Sequence, residues 1–154
     1  MLILTAAFII TVSRHTAPVK LSIPFSSLNW ASTFEDMEKS DGGLYVTFNS
    51  SGGTTYQYIK EYLNKSGYLK YHFSDSGVLL GIAWSCEAAD EAELNALYDE
   101  IYASLVKDYG EGRTTSSGLN HAWEAPDGTS IRLNTGFGGS DRSLQYFYIN
   151  PAAL

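Results

Sequence analysis

The sequence predicts an α+β fold, in which two helices pack on one face of a largely antiparallel meander sheet. Residues 28–39 and 90–109 carry apolar side chains at the i, i+3, i+4 spacing of an amphipathic helix. The other runs are short, rich in aromatic residues and bounded by Gly, Ser, Asn or Asp, as is typical of strands joined by turns. The order is helix, strands, helix, strands, so a helix-plus-strands unit occurs twice.

The first unit opens with the helix at residues 28–39, and the Ser-Asp-Gly-Gly sequence after it is typical of a helix end. Residues 44–49 then alternate apolar residues with others, which predicts a half-buried strand with one apolar face. The apolar residues of this strand are Leu44, Val46 and Phe48.

The next element, residues 56–63, fits two periods. Tyr56, Ile59 and Leu63 share a helical stripe, whereas Tyr56, Tyr58 and Tyr62 share one face of a strand. Because aromatic residues are enriched in strands, we favour a strand, and the helix stays the alternative. We expect a turn at residues 64–67 to follow.

Two further strands, residues 68–73 and 78–86, complete the first unit. The turn between them ends in Gly77, which suits the left-handed position of a hairpin loop. The second of these strands has the small residues Gly81 and Ala83 on one side and large apolar residues on the other. Since small side chains let a helix approach closely, we expect helix 90–109 to pack on the small-residue side.

Helix 90–109 carries the charge of the chain. Residues 87–111 contain eight carboxylates and a single lysine, a sum of −7 that equals the net charge of the whole protein. Asp90 and Glu93 have the spacing of a capping box, and Gly110 predicts the helix end. Asp99 and Glu100 are expected on the solvent side, opposite the apolar stripe.

Three strands are predicted after this helix, at residues 119–124, 129–135 and 143–149. The Ala-Pro-Asp-Gly sequence between the first two suits a type I turn with a glycine bulge. The glycine-rich segment 136–140 is expected to be a hairpin tip. The last strand is apolar on both sides, so we expect both of its faces to be covered or to contact a partner.

The chain begins with an uncharged apolar run at residues 1–12, which is shorter than the roughly 20 residues of a transmembrane helix. Residues 1–20 are predicted to be a partial signal or anchor with its tether, followed by a single α+β domain at residues 21–154. This interpretation predicts an exported or membrane-anchored protein. If residues 1–12 are part of the core, a cytoplasmic location is expected instead.

The net charge disfavours any partner that binds through phosphate neutralisation. No two of the ten basic residues are adjacent, so the sequence offers no basic run for nucleic acid or for an anionic membrane. We therefore expect a protein partner and no nucleic acid. The sequence does not fix the oligomeric state.

The sequence contains no recognisable catalytic, cofactor or metal motif. Its histidines and single cysteine lack the CxxC or HExxH spacing of zinc sites, and its glycines lack the spacing of phosphate-binding loops. We predict no metal and no cofactor. An enzyme is an alternative if the fold assembles a site around His72, His121 or Cys86, because these residue types supply bases and nucleophiles.

Two groups of residues are candidates for a binding surface. Asp99 and Glu100 could attract a basic protein surface through long-range electrostatics. Tyr56, Tyr58 and Tyr62 could form an aromatic patch, because tyrosine is enriched at interfaces.

Four segments carry a resemblance to known proteins. They are Asp108-Tyr109-Gly110, Trp123, Ile131-Arg132-Leu133 and Tyr146-Phe147-Tyr148. The chain resembles small exported or lipid-anchored bacterial proteins of unassigned function. Its element order over residues 28–151 resembles the β-lactamase-inhibitory-protein type of domain, which implies helices on a meandering sheet. That type usually has a helix-loop-helix in each unit, whereas this chain has single helices.

The sequence thus predicts a non-catalytic binding protein at or outside the membrane, which recognises a basic protein surface through the acidic helix 90–109. One alternative is the enzyme described above. The other is a self-associating structural module that uses the last strand as a sheet edge.

Overall fold

The structure, a computed structural model, describes residues 21–115, 120–136 and 140–154. Over these ranges the chain forms an eight-stranded antiparallel sheet and two α-helices, α1 (Phe34–Asp41) and α2 (Glu91–Tyr109), which confirms the predicted α+β class. The strands are β1 (Val46–Ser50), β2 (Gly53–Tyr62), β3 (Lys65–Ser74), β4 (Leu79–Glu87), β5 (Arg113–Thr114), β6 (Asn120–Glu124), β7 (Ser130–Thr135) and β8 (Ser143–Ile149). The expectations for residues 1–20, for Leu119 and for most of the tip at 136–140 fall outside the described residues.

The sheet consists of two meanders joined along their last strands. The strand order is β1-β2-β3-β4-β8-β7-β6-β5, so each helix is followed by four strands and the two halves meet at the β4–β8 pair. This is the predicted helix-plus-strands unit occurring twice. The last strand, β8, lies in the middle of the sheet between β4 and β7. The expectation that it serves as a free edge for self-association is therefore wrong, because β1 and β5 form the edges.

Helix α1 is shorter than predicted, since it begins at Phe34 and residues 28–33 lie before it. Thr33 and Asp36 form a capping box, in which the Thr33 hydroxyl accepts from the Asp36 N–H at 3.2 Å and the Asp36 carboxylate accepts from the Thr33 N–H at 2.9 Å. This cap fixes the helix start six residues later than the apolar stripe indicates. The helix ends at Asp41, directly before the predicted glycines.

Residues 56–63 are strand, as favoured, within the longer β2. The β2–β3 turn begins one position earlier than predicted and is shorter, so residues 65–67, predicted as turn, belong to β3. The two residues of the turn, Leu63 and Asn64, both have positive φ values, 52° and 58°, which is the pattern of a type I′ hairpin. The turn before β4 matches the prediction, with Gly77 at φ +81°.

The two faces of the sheet differ. The covered face carries both helices and the segment before α1, and their apolar side chains share one cluster with the sheet residues beneath them. Phe25 of that segment, for example, packs edge-on against Tyr146 at a ring-centroid distance of 5.2 Å. We call the other side the open face. The apolar side chains of α1 and α2 belong to the covered face.

Helix α2 packs on the large-residue side of β4, so the prediction that it packs on the small-residue side is wrong. Ile82 and Trp84 are fully buried in the cluster that contains the α2 leucines, whereas Gly81 and Ala83 belong to the open face. A register shift at His72/Phe73 places Leu79 on the covered face and leaves Val78 41% exposed. Large apolar residues gain more from burial under a helix than small ones do.

Helix α2 begins and ends at the predicted residues, although only the Asp90 half of the predicted capping box forms. Asp90 caps it by accepting from the Glu93 N–H at 2.9 Å, and the Gly110 N–H donates to the Val106 carbonyl at its end. The Glu93 carboxylate accepts from the Ala89 N–H and from Lys65 Nζ, which ties the first turn to β3. The buried residues of the helix are Leu94, Leu97, Tyr98, Ile101 and Leu105.

Candidate functional site

The open face carries an exposed apolar patch on β1, β2 and β3. Val46 is 56% exposed, Phe48 51%, Ile59 78% and Tyr68 48%. Ile59 and Tyr68 are direct cross-strand partners, and Val46 and Phe48 pair with β2 residues of the same face. The solvent side of an antiparallel sheet is usually polar, so large apolar side chains gathered there mark an interaction surface. We call these four residues the apolar patch.

The expectation that residues 44–49 form a half-buried strand is wrong, because all five residues of β1 are exposed. Its apolar residues face solvent, and Tyr45, directly before it, turns toward the core. The Tyr45 ring packs edge-on against Phe34 of α1 and at 5.4 Å from the Tyr58 ring. The large ring fills the space beneath α1, which places the alternate residues on the open face.

A groove of about 200 Å³ lies at the centre of the open face. Gly81 and Ala83 of β4 form its floor, because their small side chains leave space between the larger ones of β3 and β8. The flanking side chains are Lys70 and His72 on one side, and Phe147 and Ile149 on the other. His72 is held by Thr55 of β2, whose hydroxyl is 3.0 Å from His72 Nδ1.

The predicted acidic surface on α2 is exposed. Asp99 and Glu100 both lie outside the buried stripe. Among the described residues, neither makes an ion pair, whereas Glu93 pairs with Lys65 and Glu87 lies 3.7 Å from Arg142. The outer side of the helix is therefore largely uncompensated negative charge, on the side of the molecule opposite the open face.

Tyr56, Tyr58 and Tyr62 lie on the covered face. Tyr58 is 4% exposed, and the other two are half-buried. Tyr56 packs against Phe34 with ring centroids 4.9 Å apart, and Tyr62 packs edge-on against Trp84 at 5.3 Å. These tyrosines fill the interior under the helices.

The three residues of the enzyme alternative do not share a site. His72 lies on the open face, whereas Cys86 and His121 belong to the covered face. Cys86 and His121 stand on β4 and β6, which are three strand spacings or about 14 Å apart. His121 is enclosed instead by aromatic side chains of α2, with its Nδ1 2.5 Å from the Tyr98 hydroxyl and its ring edge-on to Tyr102.

Cys86 is expected to react slowly with a disulfide-exchange reagent in the folded protein. The residue is 6% exposed, and burial raises the pKa of its thiol to about 11, so little thiolate is present at neutral pH. A time course with and without denaturant measures this. Immediate and complete modification of the native protein would contradict the placement of Cys86.

A buried polar network joins α1 to the sheet, and sequence reasoning did not find it. The Asp41 side chain is 4% exposed; its two oxygens accept from Lys60 Nζ at 2.8 Å and from the Tyr71 hydroxyl at 2.5 Å. The Tyr71 hydroxyl also lies 2.8 Å from Ser26 Oγ. The partners come from three separate elements, and no spacing along the chain connects them.

Tyr58→Phe is expected to raise the free energy of unfolding by about 1 kcal/mol. The Tyr58 hydroxyl is buried and has no hydrogen-bond partner among the described residues, and an unpaired buried hydroxyl costs about 1–3 kcal/mol. The matched variant, Tyr71→Phe, removes a bonded hydroxyl and should lower stability by about 1–2 kcal/mol. Urea unfolding of both variants decides the point, and a destabilised Tyr58→Phe protein would count against this packing.

Neither a metal centre nor a spanning helix emerges from the described part of the chain. In residues 21–115, 120–136 and 140–154, no three His, Cys, Asp or Glu side chains are grouped so that they could hold a metal ion. No helix there is long and apolar enough to cross a bilayer. Comparison with known families, with characterised proteins and with solved structures gave no match.

Proposed function

We propose that this chain is a non-catalytic binding protein and that a partner protein docks on the open face of its sheet. The observation that carries the proposal is the apolar patch, whose four large side chains are each about half exposed or more. Covering them would remove apolar surface from water, which is the main driving force of protein association. Aromatic side chains such as Phe48 and Tyr68 are typical anchors of such contacts.

The distribution of reactive side chains supports binding over catalysis. His72 stands on the open face, whereas the Cys86 thiol is buried on the other side of the sheet. A nucleophile and its base need to lie within hydrogen-bonding reach of each other. The side chain beside His72 is instead a threonine hydroxyl.

The apolar N-terminal run supports action at or outside the membrane. Residues 1–12 have the length and hydrophobicity of a signal-peptide core. On this proposal the binding domain meets its partner after export or while anchored to a membrane.

The outer side of α2 is a second candidate surface, for a basic partner. The exposed and unpaired carboxylates of Asp99 and Glu100 support it, because uncompensated charge steers association with an oppositely charged surface. Charge reversal with Asp99→Lys and Glu100→Lys tests this candidate. If the charge-reversed variant retains the same partner as the parent protein in the native host, the outer side of α2 is not the binding site.

Site-directed photo-crosslinking in the native host tests the main proposal. A photoreactive amino acid replaces Val46 or Ile59 on the open face, and Ala96 or Ala103 on the exposed side of α2 serves as the matched control. We expect the same partner protein to be crosslinked from both open-face positions and not from the α2 positions. Adducts from α2 alone, or from none of the positions, would overturn the proposal.

A further inference from the structure

The centre of the open face is free of carboxylates, although the chain as a whole is acidic. The strand registers place seventeen residues of β1–β4, β7 and β8 in three rows across the open face, and Leu44, two positions before Val46, extends the third row. One row is Phe48, Thr55, His72, Gly81, Ile149 and Ser130; the next is Val46, Gln57, Lys70, Ala83, Phe147 and Arg132; the last is Leu44, Ile59, Tyr68, Ser85, Gln145 and Asn134. None of them is Asp or Glu, in a chain with 17 acidic residues.

Carboxylates appear only at the margins of this region. Glu61 and Glu87 lie at the strand ends beyond Ile59 and Ser85, and Glu124 on β6 pairs with Ser130 and lines a cavity beside Arg132. Glu87 also lies 3.7 Å from Arg142, whose positive charge partly offsets the negative charge of Glu87. The three rows themselves thus carry two cations and no carboxylate, in a chain with a net charge of −7.

Two cations stand in the middle row: Lys70 lines the groove, and Arg132 stands next to the Phe147 wall, outside the groove. Lys70 pairs with Ala83, Ala83 with Phe147, and Phe147 with Arg132, so the two cations are three strand spacings or about 14 Å apart. Among the described residues neither makes an ion pair, and Arg132 lies over the Phe147 ring at 6.0 Å. Burial removes water from the Lys70 ammonium group and lowers its pKa. A carboxylate of a partner would stabilise the charged form again.

The size of the groove favours a protein side chain as its occupant. At about 200 Å³ it is smaller than the roughly 300–1,000 Å³ of sites that enclose a whole small molecule. Its walls combine the apolar Phe147 and Ile149 with polar Lys70, His72 and Gln145. The apolar patch extends the same surface toward β1. A partner protein that places a side chain in the groove would therefore also cover the patch.

We propose that the partner docks through an acidic segment, which places carboxylates against Lys70 and Arg132 and one apolar side chain in the groove over Gly81 and Ala83. This inference rests on the proposed function, since it names the chemistry of the partner that the open face receives. Lys70 and Arg132 favour an acidic segment locally, and the apolar contact in the groove adds affinity that a purely anionic partner lacks, since the net negative charge of the chain repels both.

Synthetic peptides of equal length, titrated onto the full chain, test the charge and the groove separately. The probes are a Glu/Phe peptide, a Lys/Phe peptide and a Glu/Ser peptide, each carrying a fluorophore for anisotropy. We expect the Glu/Phe peptide to bind at least about tenfold more tightly than either of the others and to weaken as salt is added. Equal binding of the Lys/Phe peptide would overturn the proposal.

Matched variants locate the contact. The double variant Lys70→Gln/Arg132→Gln should weaken the Glu/Phe peptide about tenfold, whereas Lys39→Gln/Lys107→Gln, with the same change of net charge on the helix side, should leave it unchanged. Ala83→Leu, which fills the groove, should also weaken it about tenfold. Equal losses in both double variants would overturn the proposal, and circular dichroism confirms that each variant is folded.

Three further outcomes separate this inference from other occupants and from the proposed function. Binding of a single-stranded oligonucleotide as tight as that of the Glu/Phe peptide would overturn it in favour of general anion binding. A dimer in light scattering that Lys70→Gln/Arg132→Gln dissociates would overturn it in favour of a second copy of the chain. If crosslinks form from Val46 and Ile59 while the peptides show no charge preference, this inference fails and the proposed function stands.

Discussion

Replacing Asp41 with alanine is expected to lower the free energy of unfolding by about 3 kcal/mol, because the change breaks a buried charge pair. Asp41 receives two hydrogen bonds, from Lys60 and from Tyr71, and its side chain is almost completely buried. Without it, the Lys60 ammonium loses its partner beneath the end of α1. Because the Lys60 side chain is 41% exposed, water still solvates part of its ammonium group. The expected loss of stability is therefore at the lower end of the range for buried pairs.

Chemical denaturation of the full chain measures this loss, and Asp75→Ala provides the control. Asp75 lies exposed in the β3–β4 turn, so its removal should change stability by less than about 0.5 kcal/mol. Equal stabilities of the Asp41 and Asp75 variants would contradict the network that holds α1 on the sheet.

Trp84→Ala is expected to cost about 4 kcal/mol, the largest effect of a single core substitution in this fold. Trp84 is fully buried at the centre of the covered face, and its indole N–H donates to the Lys60 carbonyl at 3.0 Å. Gly67 leaves room for the ring, because a Cβ at that position would lie 2.7 Å from Trp84 Cε2. Alanine would leave a cavity and an unpaired carbonyl.

Phe48→Ala is the matched control for Trp84→Ala, since it removes an aromatic ring from the opposite side of the sheet. Phe48 is 51% exposed, so its loss should change stability by less than about 0.5 kcal/mol. Trp84→Phe keeps part of the ring and preserves a measurable transition if the alanine variant does not fold. A larger loss from Phe48→Ala than from Trp84→Phe would contradict the assignment of the two faces.

Local signals in the sequence were sufficient to predict the helices and strands and most of the residues at which they end. Asp90 and Gly110 bound α2 because caps act through contacts only a few residues apart. The same kind of signal at Thr33 and Asp36 was masked by an apolar stripe that continues upstream of the cap, and α1 was therefore predicted too long.

The orientation of the faces depends on contacts that local patterns do not contain. Alternation shows that two sets of residues face opposite ways, and it does not show which set meets the helices. In β1 the Tyr45 ring decides this by packing under α1, and in β4 Ile82 and Trp84 do so, because large apolar residues gain more from burial than Gly81 and Ala83. The pairing of Lys70, Ala83, Phe147 and Arg132 likewise follows from the strand order, in which β4 neighbours β8 although more than fifty residues separate them along the chain.

Cysteine accessibility tests the central claim, that the open face is free in the isolated protein and covered by a partner in the native host. Ile59→Cys places a thiol in the apolar patch, and Ala103→Cys places one on the exposed side of α2. The buried Cys86 contributes little signal. Each variant is labelled as purified protein and again in a native extract of the host. We predict that both thiols react rapidly in the purified protein and that only the thiol at position 59 becomes protected in the extract. Protection at position 103 alone, or equal labelling of position 59 in both conditions, would contradict the account.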